Sequence, residues 1–278
     1  MTPQEFEFLC GFLHQRSGLQ LTPGKEYLVT ARLQPLAQRR GLGDIAALVT
    51  ALRQKPPADL IQDVVEAMTT NETLFFRDKT PFEDLRCTLL PDLIEQRRAE
   101  RRLRFWCAAC STGQEPYSLL MLLDESFPEL VHWQVEIVAT DLDTAALSRA
   151  RSGLYSHLEI QRGLPIQLLI KHFQQAEGGW QIRDSHRQRI SWRQLNLLEP
   201  FDALGRFDII CCRNVLIYFD EHTKRDVLNR LTDRLSADGL LLLGAAETAI
   251  GLSAKLSRVV GCKSTIYGRT TSQMARTA

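Results

Sequence analysis

The stretch Cys107-Ala108-Ala109-Cys110-Ser111-Thr112-Gly113-Gln114-Glu115-Pro116-Tyr117-Ser118 decides the fold. It joins an apolar run, Leu103 to Cys107, to an apolar helical pattern, Leu119 to Leu123, through small residues. Small residues let backbone N–H groups approach a ligand closely, and a fresh helix N-terminus favours electron-rich groups. Thr112-x-x-Glu115 has the form of a capping box, and Pro116 suits a first helical turn. A strand, a tight loop and a helix in this order make a nucleotide-type cofactor site at the mouth of an α/β sheet. The same arrangement is also how any α/β unit turns a corner, so the rest of the chain has to decide.

From Leu103 onward, short apolar runs alternate with helical patterns. The runs are Leu103–Cys107, Val135–Ala139, Ile190–Trp192, Phe207–Cys212 and Leu240–Leu243, with a helix expected over Glu221 to Leu235. Such alternation predicts a mainly parallel sheet covered on both faces. Leu256–Val260, Gly261-Cys262 and Thr265–Tyr267 read as a hairpin added to the sheet edge. Upstream, residues 1–75 are helical throughout by their apolar spacing, with Gly18, Gly24, Gly41-Leu42-Gly43 and Pro56-Pro57 as punctuation. The expected organisation is a helical domain over 1–75, a linker helix over 76–102, and an α/β domain over 103–278. Within the last, Phe173, Gly178-Gly179-Trp180-Gln181-Ile182 and Gln188-Arg189-Ile190 suggest a small antiparallel β insert at about 165–192.

Composition removes several function classes. The formal net charge of +1 gives no support for broad phosphate-backbone binding, so nucleic acid is not an expected partner. No apolar run approaches the ~20 residues of a membrane helix, and the first residues lack an apolar signal region, so a cytoplasmic location is expected. Seven cysteines, two of them adjacent in an apparent buried strand, fit a reducing compartment. Cys107-x-x-Cys110 invites a zinc or redox reading, but no second such pair supplies the remaining ligands, and no metal is expected.

Four further segments complete the set. They are Thr69-Thr70-Asn71-Glu72-Thr73-Leu74-Phe75-Phe76-Arg77, Ala139-Thr140-Asp141-Leu142-Asp143, Asn196-Leu197-Leu198-Glu199, and Phe207 to Asp220 with Arg213-Asn214-Val215-Leu216-Ile217-Tyr218-Phe219. In this order and spacing the chain resembles the chemotaxis receptor methyltransferases, the CheR family, over nearly its whole length. The resemblance implies a Rossmann-like, S-adenosylmethionine-dependent methyltransferase sheet with an all-helical N-terminal domain. It also implies methyl transfer to glutamate side chains on the cytoplasmic helical domain of a chemotaxis receptor, leaving S-adenosylhomocysteine. The alternative substrate is a small molecule processed on the same fold.

Asp141, just past an apolar run, is placed for ribose hydroxyls, and Asp143 for an N-cap. Glu115 is either a capping glutamate or, by resemblance, a partner for the cofactor's ammonium. Asn196 and Leu197 either bracket the adenine or form an ordinary turn. Arg213 and Asn214 lie where open α/β sheets bind ligands, with Tyr218 beyond them. Thr73 and Arg77 are four apart and would share a face on a helix. Arg77 then binds a cofactor or substrate carboxylate, or a structural one. Phe75 and Phe76 are expected in the seam between the domains. The cofactor set is thus Asn71, Thr73, Arg77, Gly113, Glu115, Asp141, Asn196, Leu197, Arg213 and Asn214, with Arg77 and Tyr218 orienting the substrate. A substrate glutamate is already ionised at neutral pH, so no nucleophile or base is required.

Lys25, Arg32, Arg39 and Arg40 form a basic stretch that is either a receptor-docking face or merely solvated, and Pro35 would kink or split its helix. The adjacent glycines Gly178-Gly179 suit a tight hairpin, too short to wrap a receptor tail peptide. Catalysis independent of such a tether is therefore expected, and the protein is separately expected to be a monomer.

Overall fold

The computed structural model describes residues 1–270. The chain divides into two compact units, one of residues 1–70 with 218–223 and one of residues 71–217 with 224–270. Among the described residues, no helix is long and apolar enough to cross a membrane.

The smaller unit is built on four helices: α1 (Pro3–Ser17), α2 (Glu26–Arg39), α3 (Ile45–Arg53) and α4 (Ala58–Met68). Thr2 and Glu5 close a reciprocal capping box at the start of α1, and Gly18 ends it in the left-handed region, φ 73°. Each helix buries one stripe, and Leu9, Leu13, Val29, Leu33, Leu48 and Val64 form the centre of a shared core. α2 runs through Pro35 without splitting. Its basic stretch is largely spent inside the unit. Arg32 Nη1 donates to the carbonyls of Met68 and Thr69, both at 2.7 Å, and Nη2 to Thr70 Oγ1 at 3.0 Å. Those carbonyls are the unsatisfied end of α4, so the arginine caps a helix. Arg40 is paired with Asp59 and Asp63. Of the four cations, Lys25, Arg39 and Arg40 are exposed, with Arg40 already paired to two carboxylates.

The larger unit is an α/β layer structure. Its seven-stranded sheet uses β1 (Arg102–Ala108), β2 (Gln134–Asp141), β6 (Ile190–Gln194), β7 (Phe207–Cys212), β8 (Leu235–Leu243), β9 (Leu256–Arg258) and β10 (Ile266–Arg269). The order is β6-β2-β1-β7-β8-β10-β9. The first five are parallel, and the antiparallel β10 lies between β8 and β9 as the expected terminal hairpin. All six residues of β7 are buried, as a central strand covered on both faces requires. Helices α7 (Gln114–Ser126), α8 (Thr144–Ser152) and α12 (Glu221–Asp233) follow β1, β2 and β7. Ahead of β1, α5 (Thr80–Asp84) and α6 (Leu90–Gln96) are joined by a π-helical turn, Leu85–Leu89. Arg97, just past α6, reaches across to Asp208 at 2.9 Å and Asp238 at 2.5 Å, so its role is structural.

Between α8 and β6 lies a three-stranded antiparallel sheet of order β3-β5-β4: β3 (Leu154–Tyr155), β4 (Phe173–Ala176) and β5 (Gly179–Ile182). Helices α9 (His157–Gln161) and α10 (Ile166–His172) fill the β3–β4 connection, and α11 (Asp184–Arg187) follows β5. Phe75 is wholly buried here, edge-on to Tyr155 at 5.0 Å and to Phe173 at 5.7 Å. Phe76 meets Phe82 at 5.1 Å. Phe75 therefore belongs to the α/β unit's own core, in an aromatic pocket that the insert offers, and Phe76 packs against that core beside α5.

Ala176 pairs with Gly179, leaving Glu177-Gly178 as a two-residue turn. Gly179 is needed for a different reason. A Cβ there would overlap the Tyr155 carbonyl oxygen on the neighbouring strand β3. Gly178 has nothing within 4 Å of such a Cβ, only a positive φ of 85°. Gly179→Ala is therefore expected to cost about 2–4 kcal/mol, the scale of overpacking plus strain. Gly178→Ala should cost only about 1–2 kcal/mol for left-handed backbone. Equal midpoint shifts of the two variants in urea would contradict this division.

Candidate active site

The β1–α7 loop is shaped by backbone conformation. Ala109, Ser111 and Gly113 have φ of 58°, 50° and 92°, alternate residues in the left-handed region. Two of the three carry side chains, which is costly and persists only when the surroundings enforce it. Those surroundings are identifiable. Cys110 N donates to the Thr140 carbonyl at 2.9 Å, and Tyr155 Oη to the Thr112 carbonyl at 2.8 Å. Ser111 N donates to Asp141 Oδ2 at 2.7 Å, and Ser111 Oγ to the Asn71 carbonyl at 3.0 Å.

Gly113 has a packing reason beyond ligand approach. A Cβ there would stand 2.9 Å from Ala150 Cβ on α8 and 3.0 Å from the Trp192 ring on β6. The capping box expected at Thr112 and Glu115 does not form. Gly113 is itself the N-cap, and Thr112 Oγ1 donates to the Gln114 side chain. Glu115 instead accepts from Arg213 Nη1 at 2.7 Å.

Arg213, at the end of β7, has only 3% of its side chain exposed. Its Nη2 donates to the Arg77 carbonyl and to Asp78 Oδ2, both at 2.8 Å. Burial opposes its charge, but Glu115 and Asp78 outweigh burial and raise its pKa further. Its Nε is buried with no hydrogen-bond partner, a donor left over in an otherwise satisfied guanidinium. One side chain thus joins the start of α7, the end of β7 and the 77–78 turn.

Asp141, the last residue of β2, is 7% exposed and accepts from Ser111 N and from Asp143 N at 2.9 Å. Burial pushes its carboxyl up to about 6, against the pull of those N–H groups. Asp143 is the N-cap of α8, accepting from Ala146 N, as its position suggested. It also accepts from Asn71 Nδ2 at 2.6 Å. Asn71, Ser111, Asp141 and Asp143 therefore form one linked cluster.

Thr73 and Arg77 do not share a helix. Residues 71–74 form no regular element and 75–78 turn, with Phe76, Asp78 and Lys79 at φ of 51°, 69° and 49°, which no α-helix accommodates. Thr73 is half-buried there, and Arg77 Nη1 donates back to the Glu72 carbonyl at 2.6 Å. Asn196 begins a turn after β6, its Oδ1 accepting from Leu198 N at 3.0 Å. Leu197 is buried, and its carbonyl accepts from Arg230 Nη2 at 2.7 Å. Tyr218 belongs with the helical unit, where its carbonyl accepts from Gln20 N at 2.8 Å.

One organising residue is absent from the sequence reading. Glu247, four residues past β8, accepts from Asn214 N at 2.8 Å, Val215 N at 2.9 Å, Ile217 N at 3.3 Å and Gly244 N at 2.7 Å. This carboxylate holds Asn214 in its left-handed conformation, φ 59°. An acid just past a buried strand was the available clue. Three buried cysteines nearby are held as thiols. Hydrogen bonding to Cys211 and burial hold the Cys107 thiol well above its ordinary range, and burial does the same for Cys110 and Cys212.

The donor set fits an adenosyl-sulfonium cofactor. Among the described residues it offers two carboxylates, Asp141 and Glu115, and one buried donor without a partner, Arg213 Nε. Comparison with known proteins agrees. Residues 71–265 match the CheR methyltransferase, SAM binding domain, and residues 4–69 match the CheR methyltransferase, all-alpha domain. Chemotaxis protein methyltransferase Cher2 of Pseudomonas putida is 42% identical over 252 residues, spanning 89% of this chain and 91% of that protein. Chemotaxis protein methyltransferase 1 of Pseudomonas aeruginosa is 44% identical over 248 residues, 87% of this chain and 89% of its own length. Its namesake in Vibrio cholerae is 39% identical over 263 residues, covering 93% and 94%. With a helical unit, a seven-stranded α/β unit and both matches in register, the chain belongs to the CheR methyltransferase family and uses S-adenosylmethionine as methyl donor.

Proposed function

We propose that this enzyme methylates glutamate side-chain carboxylates on the cytoplasmic helical domain of a chemotaxis receptor, giving methyl esters in the cytoplasm. The observation that carries the reading is which proton acceptors surround the loop. Among the described residues there, Glu115 is paired with Arg213, and both Asp141 oxygens accept backbone N–H groups. The neighbouring thiols and the Tyr117 and Tyr155 hydroxyls are raised by burial. A site with no base in reserve suits a nucleophile that arrives already ionised, which a glutamate does and an amine or alcohol does not.

When bound, S-adenosylmethionine supplies an electrophilic sulfonium methyl. The protein's part is positioning, worth up to ~7–11 kcal/mol when two reactants are held near attack distance. Asp141 accepts from the ribose hydroxyls, with Asn71, Thr73 and Gly113 lining the same edge. Glu115 accepts from the methionyl ammonium, and Arg213, Asn214 and Arg77 complete that end. Asn196 and Leu197 flank the adenine. Arg77 and Tyr218 orient the incoming carboxylate. Recruitment runs without a tail-peptide tether, since the β4–β5 turn has two residues, and the enzyme acts as a monomer.

Three outcomes follow. Radiolabelled methyl on a receptor cytoplasmic fragment should be released as methanol by mild alkali, at equal rates for the intact fragment and one trimmed of its C-terminal tail. Alkali-stable label overturns the ester, and a large loss on trimming overturns tether independence. Tyr218→Phe should bind S-adenosylhomocysteine normally but turn over more slowly, whereas Arg77→Ala should lose turnover and some affinity. Wild-type turnover in Tyr218→Phe would reduce that residue to packing.

The third outcome concerns pH. Asp141 titrates near 6 in the folded protein, above its ordinary 3.8, so it is the protonated form that folding favours. Its contribution to stability is present below about pH 4 and lost as pH rises through about 6. Ribose hydroxyls need the ionised form, so cofactor affinity should rise over the upper part of that window. Calorimetry from about pH 5 to about pH 7.5 should show this rise in the wild type and a flat profile in Asp141→Asn, weaker at neutral pH by about 1–3 kcal/mol. Parallel profiles would remove Asp141 from the ribose site.

A further inference from the structure

Away from the cofactor loop, α7 ends beside the β insert in a cluster that methyl transfer does not use. Its members are Asp124 and Glu125 on α7, His172 at the end of α10, and His186 on α11. The two histidines are 3% and 8% exposed, and their rings meet edge to face with centroids 4.8 Å apart. His172 Nδ1 lies 2.8 Å from His186 Nε2, which is 3.3 Å from Asp124 Oδ2. One nitrogen from each imidazole and a carboxylate oxygen of Asp124 all lie within 4.8 Å of one another.

We propose that Asp124, His172 and His186 form a binding site for a divalent transition-metal ion of the zinc type. The donor set is the borderline imidazole–carboxylate combination such ions prefer, three protein ligands with further positions for water. The ring orientations support the assignment. His172 Nε2 lies 2.7 Å from Glu125 Oε1, so its outer nitrogen donates to a carboxylate while Nδ1 faces inward with its lone pair. A carboxylate behind a metal-binding imidazole fixes the tautomer and raises the ring's basicity. His186 Nδ1 lies 3.3 Å from Ser185 Oγ, giving the second ring an outer partner too.

Without metal, the centre closes with one proton. His186 Nε2–H points at His172 Nδ1 and Asp124 Oδ2, and Ser185 donates to His186 Nδ1. An entering cation takes the place of that proton. His186 shifts its N–H to Nδ1, which then donates to Ser185 Oγ, so no net proton is released while both rings are neutral. Arg189 Nη1 lies 2.8 Å from each Asp124 oxygen, and can keep Oδ1 as Oδ2 turns to the ion. Lys171 remains paired with Glu125. The ion would fasten α10 and α11 of the insert to the C-terminal end of α7.

The sequence hid this site because its ligands come from three helices and match no short motif. A competing arrangement has to be separated, since Cys107, Glu115 and Cys211 also place ligand atoms within 4.8 Å of one another. The test is cobalt(II) titration of the full chain after chelation. One equivalent should bind, giving visible d–d bands without the near-ultraviolet charge transfer of a cobalt–thiolate bond. His172→Gln and His186→Gln should each weaken binding about tenfold or more, and zinc should raise the wild-type melting temperature but not theirs. If a histidine variant fails to fold, Asp124→Asn tests the same point at a partly exposed ligand. Binding unchanged in these variants, thiolate charge transfer alone, or no bound equivalent would overturn the proposal.

Discussion

The guanidinium of Arg213 is the contact on which the candidate site depends. It is almost wholly buried, and its partners come from two places far from it in sequence: Glu115, and the turn that supplies both the Arg77 carbonyl and the Asp78 carboxylate. A buried charge is tolerable only when paired and hydrogen-bonded, and removing one partner of such a group costs on the order of 3–5 kcal/mol. The arrangement therefore specifies geometry more than it adds stability. If the 77–78 turn or the first turn of α7 shifted, the cation would be left without compensation. Arginine suits the position because its planar fork engages several acceptors at fixed angles, which a lysine ammonium does not reproduce.

Glu247 performs the complementary task for the backbone. Four N–H groups converge on one carboxylate, so the chain just past β7 is held by a single side chain from the neighbouring strand's exit. The β1–α7 loop is likewise shaped by Asp141 and by strained residues at positions 109 and 111. These carboxylates are used as structural acceptors, and the backbone N–H groups that they accept from set the directions of their oxygens.

Much of this was legible in the residues. Five apolar runs alternating with helices gave the parallel sheet, and Asp143 gave its helix cap, because these features depend on neighbours in sequence. The errors share one cause. Glu115 has the spacing of a capping box, but its partner is 98 positions away. Thr73 and Arg77 have helical spacing, but positive φ at Phe76, Asp78 and Lys79 breaks the helix, and nothing local announces it. Arg32 and Arg40 looked like a basic surface because the acceptors that engage them, the end of α4 and the Asp59–Asp63 pair, lie elsewhere in the chain. Strand β3 spans two residues, too few for any periodicity. Glu247 binds only backbone N–H groups, which every sequence has.

The assignment of Tyr218–Thr223 to the helical unit changes what an N-terminal domain means here. The unit's core is drawn from residues 1–70, but Tyr218 supplies a backbone acceptor to Gln20, and Asp220 pairs with His14 at 2.6 Å. The helical unit is thus discontinuous, with its last piece spliced between β7 and most of α12. Cutting the gene after residue 70 would yield neither unit whole: one fragment would lack its closing segment, and the other would carry it without the helices it belongs to. Exchange of the helical unit between relatives must therefore carry the 218–223 segment with it, so the two parts of the chain are constrained to evolve as a pair.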